Sequence, residues 1–375
     1  MTATSTRPRV AIAHDYLTQR GGAERVVLAM LRAFPDATIH TTLYNPERTF
    51  PEFRDARIVT TGLDRVGALR RHHRVALPFL APAVNLHTID ADVVLMSSSG
   101  WSHGFATTGK RLVYCYSPAR WLYQTDTYLG APARSTPTGW ATLAMRPALR
   151  RWDLRMARRA DRYLAISHVV RYRIRETYGI DADVVPAPHR GLPGGFREPL
   201  DELADWADDG YHVLVSRLLP YKNVGACVEA FRGLPDERLV IVGVGPLEPE
   251  IRAALPPNAR LVSDLHDAQL QWVYAHASTL IAPSIEDFGL TPLEAGAHGV
   301  PTLALRGGGY LDTVVEGETG AFFDTPTPAA ITAAVRARAA RAWDPDLIRA
   351  QADRFTEARF SAALHRYVDE LLADS

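Results

Sequence analysis

Apolar residues fall along this chain in two successive series of short runs, most followed by a helical stripe. The first series opens with Arg9-Val-Ala-Ile-Ala-His14, a short apolar run that predicts a strand. Asp15 to Gly22 is polar and ends on a glycine pair, which reads as a loop. From Ala23 to Phe34 the apolar residues Val26, Val27, Met30 and Leu31 recur at helical spacing. Further strands are predicted at Thr38–Tyr44, Asp92–Met96, Arg111–Tyr116 and Tyr163–Ile166, with helical patterns between them. Strands alternating with helices imply an α/β chain with parallel, doubly wound sheets.

The Pro/Gly-rich stretch Val185 to Gly195 interrupts this pattern and marks a linker. The series then restarts. His212–Ser216 and Arg238–Val242 are predicted strands flanking a helix over Asn223–Phe231, and Leu261–Val262, Ser278–Ala282 and Thr302–Leu305 are three more. Phe360, Leu364, Tyr367, Val368 and Leu371 form one stripe of a final helix. The expected division is a domain over 1–190, a second over 191–355, and a helix over 356–375.

Size agrees with two domains, since 375 residues are long for a single core. Hydrophobic content of 47% and charged content of 22% are globular values. No apolar stretch approaches the ~20 residues that span a bilayer, and the start lacks the apolar core of a signal peptide. Two cysteines, Cys115 and Cys227, stand far apart and not at metal-ligand spacing, so the expectation is a reduced, cytoplasmic protein. Net charge is zero, but residues 1–190 hold 27 Lys+Arg against 15 Asp+Glu, leaving the remainder with the opposite imbalance. A basic front half faces something anionic. No helix-turn-helix, finger or RNA-binding signature accompanies it, so nucleic acid is not the expected partner. A membrane surface or a phosphorylated acceptor fits better.

The candidate chemistry lies in the second half. Glu286-Asp-Phe-Gly-Leu-Thr-Pro-Leu-Glu294 sets two carboxylates around a predicted strand-to-helix turn. Thr291 as N-cap, Pro292 as first helical residue and Glu294 as third would make a capping box, which accounts for Glu294 alone. It leaves Glu286-Asp287-Phe288-Gly289 unexplained. A phosphate on the N–H groups of Gly289, Leu290 and Thr291, with Glu286 and Glu294 accepting from hydroxyls, would suit a nucleotide sugar. Upstream, Arg217 and Lys222 in Ser216-Arg-Leu-Leu-Pro-Tyr-Lys222 follow a strand and are placed to clamp a diphosphate. The bland reading is a solvated loop.

The segment from Pro283 to Gly320, with Glu286 and Glu294 followed by Gly299-Val-Pro301 and Glu316-Gly-Glu-Thr-Gly320, resembles the retaining glycosyltransferases of family 4. The resemblance is dense over 211–324 and sparse before 190. It implies the GT-B fold: two Rossmann-like domains facing a central cleft, with a C-terminal helix crossing back to the first. It implies Arg217, Lys222 and Glu286 as catalytic residues. Gly22, Ser216, Gly243, Leu265, Asp287, Phe288, Gly289, Leu290, Thr291 and Glu294 would contact the donor. Val113 to Trp121 looks like a family stretch in which histidine stands where this chain has Tyr116. Tyr116 offers a hydroxyl there, or His103 supplies an imidazole from a neighbouring loop. Asp15 and Arg120 complete the expected acceptor or sugar contacts.

Pro118-Ala-Arg-Trp121 is similar to a branch containing many GDP-mannose users, and Leu265 stands where relatives wall the base. The implied reaction moves a hexose, best mannose from GDP-mannose, to a hydroxyl acceptor. A UDP-sugar-dependent glucosyl- or N-acetylglucosaminyltransferase, a nucleotide-sugar epimerase or hydrolase, and a non-enzymatic sugar-nucleotide binder remain alternatives. No Asp-X-Asp is placed for a metal and no His/Cys cluster occurs, so transfer without metal or other cofactor is expected. The basic runs Arg65 to Arg74 and Trp140 to Arg159, mixed with apolar residues, read either as solvated arginine-rich helices or as peripheral contact with an anionic membrane face.

Overall fold

A computed structural model describes residues 8–67, 70, 80–123, 137–189 and 195–373. Most of the first basic run (residues 71–74 and on to 79), the side chains of Trp140 and Leu143, and residues 190–194 of the predicted linker lie outside the described residues. The chain divides into two units, Met1–Ala187 with Glu357–Ser375, and Pro188–Thr356.

In the first unit the strands are β1 (Val10–His14), β2 (Ile39–Thr41), β3 (Ile58–Thr60), β4 (Thr88–Ile89), β5 (Val93–Ser98), β6 (Ala106–Thr107), β7 (Lys110–Cys115), β8 (Arg162–Ala165) and β9 (Asp183–Val184). Seven of them form a sheet in the order β3-β2-β1-β5-β7-β8-β9, with every neighbouring pair parallel, while β4 and β6 pair separately. All six residues of β5 are buried, as expected where helices cover both faces of a parallel sheet. The strand order reverses between β1 and β5, with His14 paired to Ser97 at their carboxyl ends.

The helix Glu357–Ala373 belongs to this unit. Its stripe of Phe360, Leu364, Tyr367, Val368 and Leu371 is buried, each residue contributing roughly 2 kcal/mol of apolar transfer. The Phe360 ring meets Tyr114 edge-on at 5.5 Å, and Arg32 forks onto Glu357, with Nη2 2.8 Å from Oε2.

The second unit has β10 (Tyr211–Val215), β11 (Leu239–Val242), β12 (Ala259–Val262), β13 (Ala277–Ala282), β14 (Thr302–Leu305) and β15 (Gly320–Phe323). The sheet runs β12-β11-β10-β13-β14-β15, again all parallel, and its order reverses between β10 and β13. In open sheets of this kind ligands bind beyond the carboxyl ends of the strands at such a switch point. The short strands β3, β4, β6, β9 and β15 are absent from the sequence reading. They span two to four residues each, too few for a period to declare itself, and β15 opens on a glycine.

Candidate functional site

Three loops leave the carboxyl ends of β10, β13 and β14, and together they build the site. The β10 loop runs through a single 3₁₀ turn, Pro220–Lys222, and ends on Asn223 in the left-handed conformation (φ 55°). Asparagine tolerates that conformation better than most residues. Its amide donates to the Pro283 carbonyl at 2.8 Å, which ties the β10 loop to the β13 loop across the switch point.

The tie fixes Lys222. Its Nζ lies 2.5 Å from Glu286 Oε1, and both side chains are mostly buried (12% and 21% exposed). Ser284, itself buried, donates its hydroxyl to the same oxygen. The Glu286 backbone carbonyl accepts from Gly309 N at 2.8 Å, which brings in the β14 loop. Arg217 is exposed and touches the Tyr221 hydroxyl at 3.4 Å. One half-buried, neutralised ion pair therefore stands with a free-facing guanidinium five residues upstream of its lysine. A multiply charged anion arriving there gains two cations and releases a carboxylate.

Ser216 and Gly243 sit side by side at the ends of β10 and β11. A Cβ on Gly243 would stand 1.8 Å from the Ser216 carbonyl, so only glycine lets these two strand ends approach. Leu265 is half-buried against the apolar cluster that includes Val262 and Trp272.

The helix after β13 begins earlier than its sequence implies. It spans Leu290–Gly296 with Gly289 as N-cap at φ 99°, and no side chain caps it. The capping box expected from Thr291 and Glu294 does not form. A Cβ on Gly289 would come within 2.5 Å of the Tyr310 ring, so glycine is required there both for its φ and for this packing. Burial and nearby Glu286 push the Tyr310 phenol well above its usual range. Glu294 accepts from the Tyr274 hydroxyl at 3.0 Å, so it is held by the helix Asp267–Ala275 and not by its own helix start.

Phe288 departs from the expected donor contacts. Its ring is buried against Phe355, with centroids 6.0 Å apart, which leaves only its backbone to face a ligand. Asp287 and Leu290 are half-buried beside it.

The expected acceptor residues of the first unit behave differently. Asp15 is 1% exposed, and its carboxylate accepts from Ser99 N, Ser99 Oγ, Trp101 N and Ser102 N at 2.6–2.9 Å. It holds a loop together and has no capacity to spare for a sugar. His103 is also interior. Its Nδ1 pairs with Ser98 Oγ at 3.0 Å, and its Nε2 faces Asp153 at 3.1 Å. Tyr116 bonds Ser97 Oγ at 2.8 Å and the Ala23 carbonyl at 3.2 Å. That fastens the strand end of β7 to the start of the helix Gly22–Ala33, where Gly22 itself is exposed. Arg120 is half-buried at the start of the short helix Arg120–Tyr123.

Sequence reasoning missed Ser284, Tyr310 and Tyr274. No signal marks them, because Ser284 and Tyr274 each act through one hydroxyl and Tyr310 through its ring against Gly289, and these placements are set by packing in three dimensions. Among the described residues, no group of three or more His, Cys, Asp or Glu could hold a metal ion, and no helix is long and apolar enough to cross a membrane.

Known proteins resemble this chain in sequence and in fold. The chain is 32% identical over 228 residues to the GDP-mannose-dependent alpha-(1-6)-phosphatidylinositol monomannoside mannosyltransferase of Mycolicibacterium smegmatis, covering 52% of this chain and 57% of that protein. It is 29% identical over 189 residues to the D-inositol 3-phosphate glycosyltransferase of Segniliparus rotundus, covering 45% of this chain and 42% of that one. The matched stretches thus span about half the length of these relatives. Among solved structures, sucrose-phosphate synthase of Thermosynechococcus elongatus superposes with a TM-score of 0.72 at 17% identity, covering 98% of this chain and all of that one. Anabaena HepE in complex with UDP gives 0.69 at 13% identity, covering 96% of this chain and all of that one. These likenesses show the GT-B fold. Residues 203–338 match the family model "Glycosyl transferases group 1", and residues 20–190 match "Glycosyltransferase Family 4". The two matches lie one in each unit and between them cover most of the chain, which belongs to glycosyltransferase family 4.

Proposed function

We propose that this protein transfers a mannosyl residue from GDP-mannose to a hydroxyl acceptor, with retention at the anomeric carbon and without a metal ion. The observation that carries the reading is the Lys222–Glu286 pair beside exposed Arg217 at the switch point of the second sheet. Breaking the glycosyl–phosphate bond places negative charge on the departing β-phosphate. Fixed cations aimed at that charge stabilise the transition state more than the ground state. Lys222, moving from Glu286 to the phosphate, and Arg217 supply it. Glu286 is then free to accept from a sugar hydroxyl, and Glu294, oriented by Tyr274, from another hydroxyl of the donor.

The bond from the anomeric carbon to the phosphate oxygen breaks with its electron pair on the phosphate. The acceptor oxygen bonds to the same face of that carbon and passes its proton to the departing phosphate oxygen. The mannosyl choice rests on relatives whose names specify GDP-mannose, including one from Corynebacterium glutamicum that is 36% identical over 111 residues. The first unit, basic and rich in arginine, is assigned the acceptor. Arg150, Arg151 and Arg155 are exposed on the helix Pro137–Ala157 and Arg158 just beyond its end, which suits an acceptor carried on an anionic membrane face.

Calorimetric titration with GDP, UDP and ADP, with and without magnesium, tests the reading. Micromolar binding selective for GDP and unchanged by magnesium is expected. Selectivity for UDP would move the donor to a UDP-sugar, and no binding to any of the three would overturn the assignment.

A further inference from the structure

The two cations of the site differ in freedom. Lys222 is mostly buried and paired with Glu286, whereas Arg217 is exposed, and a solvated guanidinium on a long stem has many conformers to lose before it binds anything. One side chain touches both. Tyr221 is the middle residue of the 3₁₀ turn Pro220–Lys222 and is half-buried. Its hydroxyl accepts from Arg217 Nη2 at 3.4 Å, and its ring lies under the Lys222 ammonium, with 5.2 Å between Nζ and the ring centre. Its carbonyl accepts from the Asn223 amide at 3.4 Å, the same amide that donates to the Pro283 carbonyl at 2.8 Å. The ring is therefore carried on the segment that ties the β10 loop to the β13 loop. A hydrogen bond of 3.4 Å is long and weak, and a cation over an aromatic face is attracted without a fixed direction. Both contacts guide a charge and let it turn away.

We propose that Tyr221 is a positioning residue for the donor's diphosphate, acting through the two cations. Its hydroxyl draws the Arg217 guanidinium in toward the turn that carries Lys222. Its ring keeps the Lys222 ammonium company when that group leaves Glu286 for the phosphate. This rests on the reading of the site as a sugar-nucleotide site, and it adds an uncharged residue that sets where the charges stand. Side chains ordered before a ligand arrives need less ordering when it binds.

Double-mutant cycles test it. Tyr221→Phe keeps the ring and removes the hydroxyl, Tyr221→Leu removes both, and each is also placed in the Arg217→Ala and Lys222→Ala backgrounds. Calorimetry gives the affinity for GDP and for GMP, which lacks the β-phosphate, and GDP release from GDP-mannose with water as acceptor gives kcat/KM. GDP affinity should fall about threefold to fivefold in Tyr221→Phe and about tenfold in Tyr221→Leu, the scale of one weak hydrogen bond and one cation–π contact. GMP affinity should hold in both, and kcat/KM should fall at least as far as GDP affinity. Because the hydroxyl acts through Arg217, Tyr221→Phe should lose nothing further in the Arg217→Ala background. Because the ring acts through Lys222, the step from Tyr221→Phe to Tyr221→Leu should lose nothing further in the Lys222→Ala background.

Equal losses for GDP and GMP would make Tyr221 a structural support and overturn the proposal. So would losses that persist in full in both backgrounds, or GDP binding unchanged in Tyr221→Leu. A wild-type protein that binds UDP or ADP in place of GDP would defeat the donor assignment, and the same cycles on that diphosphate and its monophosphate would still decide the role of Tyr221. A wild-type protein that binds none of the three would defeat the sugar-nucleotide reading. Crystal structures of the wild type and of Tyr221→Phe then decide the placement without a ligand: an Arg217 guanidinium that moves away once the hydroxyl is gone supports it, and one that stays overturns it.

Discussion

The two sheets reverse their strand order at equivalent points, β1/β5 in the first unit and β10/β13 in the second, yet the two switch points are finished in opposite ways. In the second, charge is left partly open: Lys222 and Glu286 retain solvent exposure, and Arg217 faces outward. In the first, Asp15, His103 and Tyr116 are spent on internal contacts. Asp15 satisfies four donors, His14 and Tyr116 share Ser97, and His103 is locked between Ser98 and Asp153. The same topology thus offers a ready site only where its polar groups are not consumed in holding the loops. A carboxylate at a strand end is evidence of binding only after its hydrogen bonds are counted.

The sharpest way to break the contrast is to remove the first unit's central carboxylate. Asp15→Ala strands four donors and should cost about 3 kcal/mol of stability, read by denaturant unfolding. GDP affinity of the folded protein should be unchanged. A loss of donor affinity with stability intact would return Asp15 to the ligand. On the other side, Lys222→Ala should lower turnover by about 10²-fold with little loss of stability, the scale of removing one charge stabiliser. Unchanged turnover would take Lys222 out of the chemistry and make its pair with Glu286 merely structural.

A smaller effect is expected from Glu294→Gln. The amide oxygen can still accept from Tyr274, so the melting temperature should hold while GDP affinity falls by about tenfold, or about 1.4 kcal/mol. A lower melting temperature with unchanged affinity would make Glu294 a structural residue.

Near neutral pH the smallest effects are those of ionisation, and here the units behave alike. His40 in the first and His298 in the second are both pushed down to about 4, chiefly by burial. Each stays neutral in the folded protein to about that pH, whereas the unfolded chain takes up the proton near 6.5. Their contribution is complete above 6.5 and is lost as the pH falls from 6.5 towards 4. His40→Gln and His298→Gln should each flatten the acid side of a melting-temperature profile, and an unaltered profile would remove these rings from the acid response.

Much of the second unit was legible because its chemistry is written locally. Ser216 to Lys222 and Glu286 to Glu294 each sit within one strand-to-helix connection, where charge type and spacing survive as sequence. The helix start at Gly289 was misread because Thr291-Pro292 with Glu294 is a good local cap, and packing of Tyr310 against Gly289 overrode it. Tyr310 and Tyr274 were illegible for the same reason, since each makes its contact across loops or between helices, while Ser284 touches Glu286 two residues on but carries nothing in its type to mark it. In the first unit, Asp15 and His103 are polar residues at strand ends or in loops. Their one-dimensional pattern is that of ligand contacts, and only burial in three dimensions separates the two cases.

The helix Glu357–Ala373 has a consequence for how the molecule is made. Its apolar stripe completes the core of the first unit, but it follows the whole of the second unit in the chain. During synthesis the ribosome therefore delivers residues 188–356 as a finished set while residues 8–187 still lack a wall. The half translated first is the half completed last, and its exposed Phe34 and Tyr114 must wait for His365 and Phe360 to cover them.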